Sequence, residues 1–548
     1  MKALLPEGRL TTLLAGLGLL LLVLAAHGPA LGGGFIWDDD TYVTENPVLP
    51  AEDGLAWIWT EPRATPQYYP LVHTTFWLEY RLWGLEPMGF HAVNLLLHAL
   101  GAVLLWGVLR RLKVPAAWLA AALFAVHPVH VESVAWVTER KNVLSGVFYL
   151  AAAWAYLRFE RPEDDEVIRW WPGYGLAFFL FVAALLSKSV TATLPAALVL
   201  VYVWKRGRLR LRTIWPLVPM LVVGIAAGLH TAWLERVHVG AEGAMYELSV
   251  WERLLVAGRG WWFYATKLVW PTDLAFIYPR WDPASAGVVD GLILLAALMV
   301  PVGLWLARRR IGSGPLVAVL FFGGTLVPAI GFFNVYPFRF SFVADHFQYL
   351  ASIGILVLMA AGVDRGWRAV ARSAETAGRW RPVVWVVPVA VLALLAHDRA
   401  WSFTSSERLW ERSLAANPRS WLGQNELGIV RRGAGDLDGA IVRFSRAVEL
   451  NPKFLAARVN LAEALRTRGR TREAMAQLEA ALEQHPRYGP ARLARGLMLA
   501  ERGELERAWD QLERAADAMP RSAVVQHRLG LVRQELGHDD AAGKHFQR

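Results

Sequence analysis

The chain has 548 residues, of which 55% are hydrophobic and only 19% charged, with 27 Trp and a mean hydropathy of +0.31. That is too apolar for a soluble protein of this length and points to a polytopic membrane protein. The net charge of +10 comes from basic residues in short clusters between apolar runs, the pattern of cytoplasmic loops rather than of a nucleic-acid surface. With no Cys, disulfides, thiolate metal sites and a Cys nucleophile are all excluded.

The first apolar run, Leu10 to about Leu31, lacks a convincing small-residue cleavage site and is followed by many others. It therefore reads as a retained helix that starts inside, beside Lys2 and Arg9. Directly behind it, FIWDDDTYVTENP (Phe35 to Pro47) sets Asp38, Asp39 and Asp40 in a row. Adjacent carboxylates raise one another's pKa, so the triplet needs either free solvent or a function. Asp40, third in the run, reads as a solvated neighbour or a cap.

Further apolar runs fall at roughly 89–109, 114–132, 143–159, 171–188, 189–204, 213–233, 286–307, 314–334, 347–363 and 382–397. If these make about eleven spans, the clusters Arg110-Arg111-Lys113, Arg158-Arg161, Lys205 to Arg212, Arg308-Arg309-Arg310 and Arg365 to Arg381 all fall on one side, which gives N-inside and C-outside. RLLVAGRGWWFYATKLVWP, Arg253 to Pro271, is apolar but carries Arg253, Arg259 and Lys267. It reads as an interfacial or re-entrant helix at the outer surface, with Trp261, Trp262 and Trp270 at headgroup depth.

From about Thr404 the chain turns charged and Ala/Leu-rich, and Pro418, Pro452, Pro486 and Pro520 recur every 34 residues. Gly435, Gly469, Gly503 and Gly537 mark a turn in each unit. Small residues recur in register, Gly428 with Ala440 and Ala447, Ala462 with Ala474 and Ala481, Gly496 with Ala508 and Ala515, Gly530 with Ala542. This resembles the tetratricopeptide repeat, whose helix pairs stack into a solenoid with a concave face suited to extended peptide. The expected fold is thus all-α. A helical membrane bundle (1–400), with an acidic first outer loop (32–88) and an outer interfacial segment (234–284), precedes an extracytoplasmic repeat domain (404–548).

The outer loops carry most of the remaining ionisable residues. The second reads HPVHVESVAWVTERKN, with His127, His130, Glu132, Arg140 and Lys141. Lys188 stands at a span end in SKSVTATLP, and NVYPFRFSFVADHFQYL brings Arg339, Asp345 and His346. Ionisable groups at span ends are functional candidates by default. FIWDD ahead of YVTENP, then YYPLVHTTFWLEYRLWGLEPMGFHAVNLLLHA, HPVHVESVAWVTERKNVL and SKSVTATLP resemble the membrane-embedded glycosyltransferases of the C superfamily joined to tetratricopeptide repeats, the bacterial side of the family that includes the animal O-mannosyltransferases with such repeats, while ADHFQYL stands where many relatives have an Asp-Arg-Tyr string.

The resemblance covers nearly the whole chain. It implies inverting transfer of a sugar from a polyprenyl-phosphate donor to an acceptor hydroxyl at the outer face of a bacterial inner membrane. Inversion needs a carboxylate to take the hydroxyl proton and cations to hold the leaving phosphate. Asp39, then Asp38, fits the base; Arg140, Lys141, Lys188 and Arg339 fit the phosphate. His127 and His130 would orient either group or bridge to Glu132, and charge removal at Arg140 or Lys188 is expected to weaken donor binding with the fold intact.

Each has a plainer reading: HPVH as a packing and capping element, Lys188 and Arg339 as interfacial cations. No cofactor is implied; a divalent cation on Asp38, Asp39 and a histidine is conceivable, but no spacing demands it. The partners expected are the lipid-linked sugar, a protein or peptide acceptor held by the repeats, and the bilayer, with no nucleic acid. Two rivals remain: a non-catalytic membrane scaffold whose repeats recruit an envelope partner, and the same chemistry on a lipid or glycan acceptor.

Overall fold

The computed structural model describes residues 7–160, 170–371 and 373–537; Lys2, Arg161 and Ala542 lie outside the described residues. Those described residues form helices, turns and loops with no strand, and the chain divides into two compact units, Met1–Leu409 and Trp410–Arg548.

In the first unit five helices are long and apolar enough to cross a bilayer: Leu10–Gly32, Pro87–Arg111, Leu211–Val239, Val288–Ile311 and Gly378–Ser402. Ala117–Val126 and Pro128–Ala135 would form a sixth as a pair bent by 52°. The bend has a local cause: Pro128 cannot donate to the helix ladder, and extended backbone at His127 stops the first segment. Other expected spans are short or start late. Trp171–Ser187 is followed by a 3₁₀ turn, Ser189–Thr193, before Leu194–Arg206, and the run expected at 347–363 becomes helical at Ser352. The helix Arg140–Phe159 carries Arg140, Lys141 and Asn142 in its first turn.

Residues 250–269 form one unbroken helix, Val250–Val269, opened by a Ser249/Glu252 capping box, so the re-entrant alternative falls away. Its buried face (Leu255, Val256, Gly258, Tyr264, Leu268) packs on Val288–Ile311 so closely that a Cβ at Gly258 would lie 2.8 Å from Leu294 Cα. The cations are satisfied by protein. Arg253 donates to Gly331 O (2.9 Å) and Asn334 Oδ1 (2.9 Å), Arg259 pairs with Asp290, and Lys267 donates to Thr272 O (2.5 Å). Trp261 and Trp262 are half-buried and have protein contacts: Trp262 Nε1 donates to Ile293 O (3.2 Å) and Trp261 packs edge-on to Phe322. Only Trp270 is exposed.

The expected first outer loop is largely helical, and Pro70–Trp83 is its main element. This helix starts with Pro at its first position, where the missing N–H costs nothing. Its face Val72, His73, Phe76 and Glu79 is buried, against a cluster that includes Tyr42, Leu49, Phe90, Val137 and Leu144.

The second unit is a run of helix pairs from Trp421–Gly433 to Ala523–Glu535. Gly435, Gly469, Gly503 and Gly537 all have φ between 73° and 82°, the left-handed region that only glycine enters cheaply. Ala440, Ala447, Ala474, Ala481, Ala508 and Ala515 are fully buried, which is why the 34-residue unit keeps them small.

Candidate active site

The three carboxylates diverge in space. Trp37 has φ +46°, a costly conformation for an aromatic residue. It is held there by stacking on Trp136 (5.4 Å) and by edge contact with Phe276 (5.2 Å). The turn that follows folds Asp39 inward. Its Oδ2 accepts from Ile36 N–H (2.9 Å), and its Oδ1 accepts from Thr138 N–H (2.8 Å) and Thr138 Oγ1–H (2.6 Å). Asp39 is fully buried and fastens the first loop to the 137–139 turn. Burial, against those three donors, drives its pKa up to about 7.

Asp38 instead faces a cavity of about 210 Å³ whose walls include Trp37, Trp136, Tyr336, Glu132, Glu139, Lys141 and His346. Burial pushes the Asp38 carboxyl up to about 6, with Lys141 opposing and Glu139 reinforcing the rise. Asp40 is exposed and accepts from Thr44 Oγ1–H (3.2 Å). The expectation that Asp39 is the first choice for the base is therefore corrected. Both of its oxygens are committed to protein donors, whereas Asp38 is the carboxylate of the pair that lines the cavity.

On the cavity wall Glu139, not singled out by the sequence pattern, organises the cations. Lys141 Nζ lies 2.9 Å and Lys188 Nζ 3.4 Å from its carboxylate, Asn142 Nδ2 donates to it at 2.5 Å, and His346 Nε2 stands 3.9 Å away. Burial favours its neutral form, but His346, Lys141 and Lys188 together outweigh that and hold it below the usual carboxylate range. Lys188 also donates to Asn142 Oδ1 (2.7 Å), and Lys141 lies over the Tyr42 and Trp136 rings. His346 Nδ1 is 2.5 Å from Glu132 Oε1, while the other Glu132 oxygen is buried without a partner. Arg339, half-buried, donates to the Tyr336 hydroxyl (2.7 Å) and lies over the Tyr336 and Phe340 rings of the cavity wall.

Lys188 and Arg339 contact wall residues without lining the cavity themselves, and four other predicted residues sit elsewhere. Arg140 was expected on the donor phosphate, yet its guanidinium is fully buried and every N–H is taken. Nε donates to Asn94, Nη1 to Glu79 and Thr75 (3.1 Å), and Nη2 to Glu79 (3.1 Å) and Phe90 O (2.9 Å). It ties Pro70–Trp83 and Pro87–Arg111 to the start of Arg140–Phe159, a structural role. His127 caps its own turn and bonds Leu268 O (2.9 Å), and His130 bridges Phe124 O (2.8 Å) and Ser352 Oγ (2.9 Å). Neither lines the cavity, which corrects their assignment as site-orienting groups and favours packing and capping. Asp345 pairs with Arg399 (2.7 Å) and accepts from Tyr278 OH (2.9 Å), and does not itself line the cavity although its neighbours Ala344 and His346 do.

Among the described residues no group of three or more His, Asp or Glu stands placed to hold a metal ion. Glu139 lay inside the quoted outer loop; an acid next to Arg-Lys at a helix start was the available signal. Trp37 and Trp136 were hidden among 27 Trp.

These features define a multi-pass membrane protein with a polar, aromatic-walled cavity in its helical bundle, followed by helical repeats. Residues 65–233 match the family described as dolichyl-phosphate-mannose-protein mannosyltransferase, and residues 431–497 match the tetratricopeptide repeat. The chain thus carries a region similar to that family followed by a region similar to tetratricopeptide repeats, the combination its motifs resemble.

Protein O-mannosyl-transferase TMTC3 of Homo sapiens is 33% identical over 178 residues, 31% of this chain and 19% of that protein. Protein O-mannosyl-transferase F38B6.6 of Caenorhabditis elegans is 25% identical over 363 residues, 60% of this chain and 48% of that protein. Protein O-mannosyl-transferase Tmtc2 of Drosophila melanogaster is 35% identical over 184 residues, 31% of this chain and 19% of that protein. The chain spans between 19% and 48% of the length of these relatives.

Proposed function

We propose that the protein transfers a sugar from a polyprenyl-phosphate donor to a Ser or Thr hydroxyl of a protein acceptor, with inversion and with Asp38 as general base. In this reading the acceptor hydroxyl gives its proton to Asp38 as its oxygen bonds the anomeric carbon, and the bond from that carbon to the phosphate oxygen breaks on the opposite face. Lys141 and Lys188, held by Glu139, would receive the leaving phosphate, with Arg339 at the rim. The observation that carries this is the position of Asp38, on the wall of a cavity that also bears Lys141, with a pKa of about 6. A base with a pKa near the working pH combines availability with driving force.

The relatives' activity suggests mannose and a protein acceptor. About eleven spans, N-inside and C-outside, would put this site and the repeats on the outer face of a bacterial inner membrane, with 234–284 as an outer layer and the repeats offered to the acceptor. No cofactor is needed for this step, and a cation on the Asp38–Asp39 pair would have to displace the protein donors on Asp39. The test is mass spectrometry of envelope proteins from cells carrying the intact gene, no gene, or Asp38→Asn. A hexose on Ser or Thr that is present only with the intact gene supports the reading. Identical envelope glycoproteins in all three would favour the scaffold.

A further inference from the structure

A second and larger cavity, of about 490 Å³, lies at the other end of the first unit. Asn94 on Pro87–Arg111 bonds Trp136 O beside the acidic site, whereas Leu109 on the same helix lines the second cavity. At 1.5 Å per residue the two are separated by about 22 Å along the axis. The walls are almost wholly aliphatic or aromatic, and the half-buried Leu200, Phe321 and Leu358 among them open it sideways. Its volume falls within the roughly 300–1,000 Å³ of ligand sites, and a space this apolar offers water too few partners.

The charge at its mouth is of one sign. The loop ends that meet here, Leu112 and Val114, Trp204 and Ile311–Gly314, adjoin Lys113, Lys205 and Arg308–Arg310, and Arg365 is itself a wall residue. The structure draws these ends together, since Lys205 Nζ bonds Leu112 O and Arg111 Nε donates to Leu157 O (2.9 Å). Nearby acids are already neutralised: Asp364 by Arg368 (3.0 Å) and Arg381 (2.7 Å), Glu160 by Arg206 (3.2 Å).

We propose that this cavity is a binding site for an anionic phospholipid of the inner leaflet, with one acyl chain between the helices and the phosphate among Arg365, Lys113 and Arg308–Arg310. A basic pocket between membrane helices on the cytoplasmic side has the chemistry that anionic headgroups select. The site is independent of the transferase reading and rests on the membrane reading with these basic loops on the cytoplasmic side.

The test uses the full chain in nanodiscs with three photoactivatable probes that carry a diazirine in the chain: phosphatidylglycerol, phosphatidylcholine with the same acyl chain, and a polyprenyl phosphate. Labelled peptides are mapped by mass spectrometry. Phosphatidylglycerol is expected to label peptides holding Leu109–Leu112, Val201–Trp204 and Val357–Leu358. Ala197→Trp, which fills the cavity, should abolish this, and Arg365→Gln, a change at an exposed side chain, should weaken it about fivefold, the effect of losing one basic residue near an anionic headgroup. Equal labelling by phosphatidylcholine would overturn the headgroup assignment. Stronger labelling of these peptides by the polyprenyl probe would make the cavity a donor-chain site, and labelling confined to other peptides would refute the site altogether.

Discussion

Asp38→Asn isolates the proton transfer from everything else the acidic triplet does. The amide keeps the size and reach of the carboxylate but cannot take the hydroxyl proton, and general-base loss costs about a hundred- to ten-thousand-fold in rate. Because Asp38 faces the cavity and has a pKa raised to about 6, the competent form is the deprotonated one, present above that pH. The parental rate should therefore fall about tenfold from pH 7 to pH 5, as the ionised fraction does, while the residual rate of Asp38→Asn should not follow that curve. The assay is transfer from a polyprenyl-phosphate sugar to a Ser/Thr peptide by the purified chain in nanodiscs, with donor binding measured separately and expected to persist.

Asp39→Asn serves as the contrast. Its remaining oxygen can still accept from Thr138, but its NH₂ would meet the Ile36 N–H, and a buried donor left without an acceptor costs about 1–3 kcal/mol. Asp39→Asn should lower the melting temperature and the rate together, and Asp38→Asn the rate alone. Near-parental transfer by Asp38→Asn would refute the assignment; loss of transfer in a fully stable Asp39→Asn would move the base to Asp39.

Arg140→Met leaves Glu79 buried without its cation and should destabilise the chain by about 3–5 kcal/mol, seen as a lower melting temperature that Arg140→Met with Glu79→Leu largely restores. An unchanged melting temperature for the single variant would show that Arg140 is not a structural tie. Lys188→Met should keep the fold, because Glu139 retains Lys141 and Asn142, yet weaken donor binding by about 1.5–3 kcal/mol, measured as the dissociation constant for polyprenyl-phosphate sugar. Reporters fused after about Trp204 or Arg310 should read as cytoplasmic and those after about Ala400 as extracytoplasmic; a cytoplasmic reading at the repeats would separate them from the proposed site.

The repeat domain was legible almost residue by residue because its physics is local. A turn that needs positive φ selects Gly435 and its equivalents, and helix–helix contact selects small residues 34 apart. The membrane unit was less so. Apolar length alone marks where a helix can lie, but not that Pro128 bends one, that Ser189–Thr193 tightens into a 3₁₀ turn, or that Arg253, Arg259 and Lys267 find protein partners. The bend is local to Pro128 and Lys267 is capped five residues on, but Arg253 finds its partners 78 and 81 residues away and Arg259 pairs with Asp290 on the next helix.

The site shows the same division at finer scale. That an acidic triplet, a Lys pair and a histidine from separate loops would meet was readable from residue type, and Asp38, Lys141 and His346 do share one cavity. Which carboxylate faces it was not. In an extended strand Asp38 and Asp40 would share a face and Asp39 would oppose them, whereas in this turn the direction of each is set by Trp37, whose left-handed backbone is held by Trp136 and Phe276, and by Thr138, which anchors Asp39. Those partners lie 99 or more residues away, apart from the tryptophan itself. Arg140 follows the same logic: beside Lys141 in sequence it looks like its twin, but one step along a first helical turn rotates it about 100°, from the cavity to the buried carboxylate of Glu79. Of the two adjacent cations one lines the cavity and one is sealed by protein, as with the two adjacent carboxylates, and in both pairs the sealed member is the one that fixes the other's position.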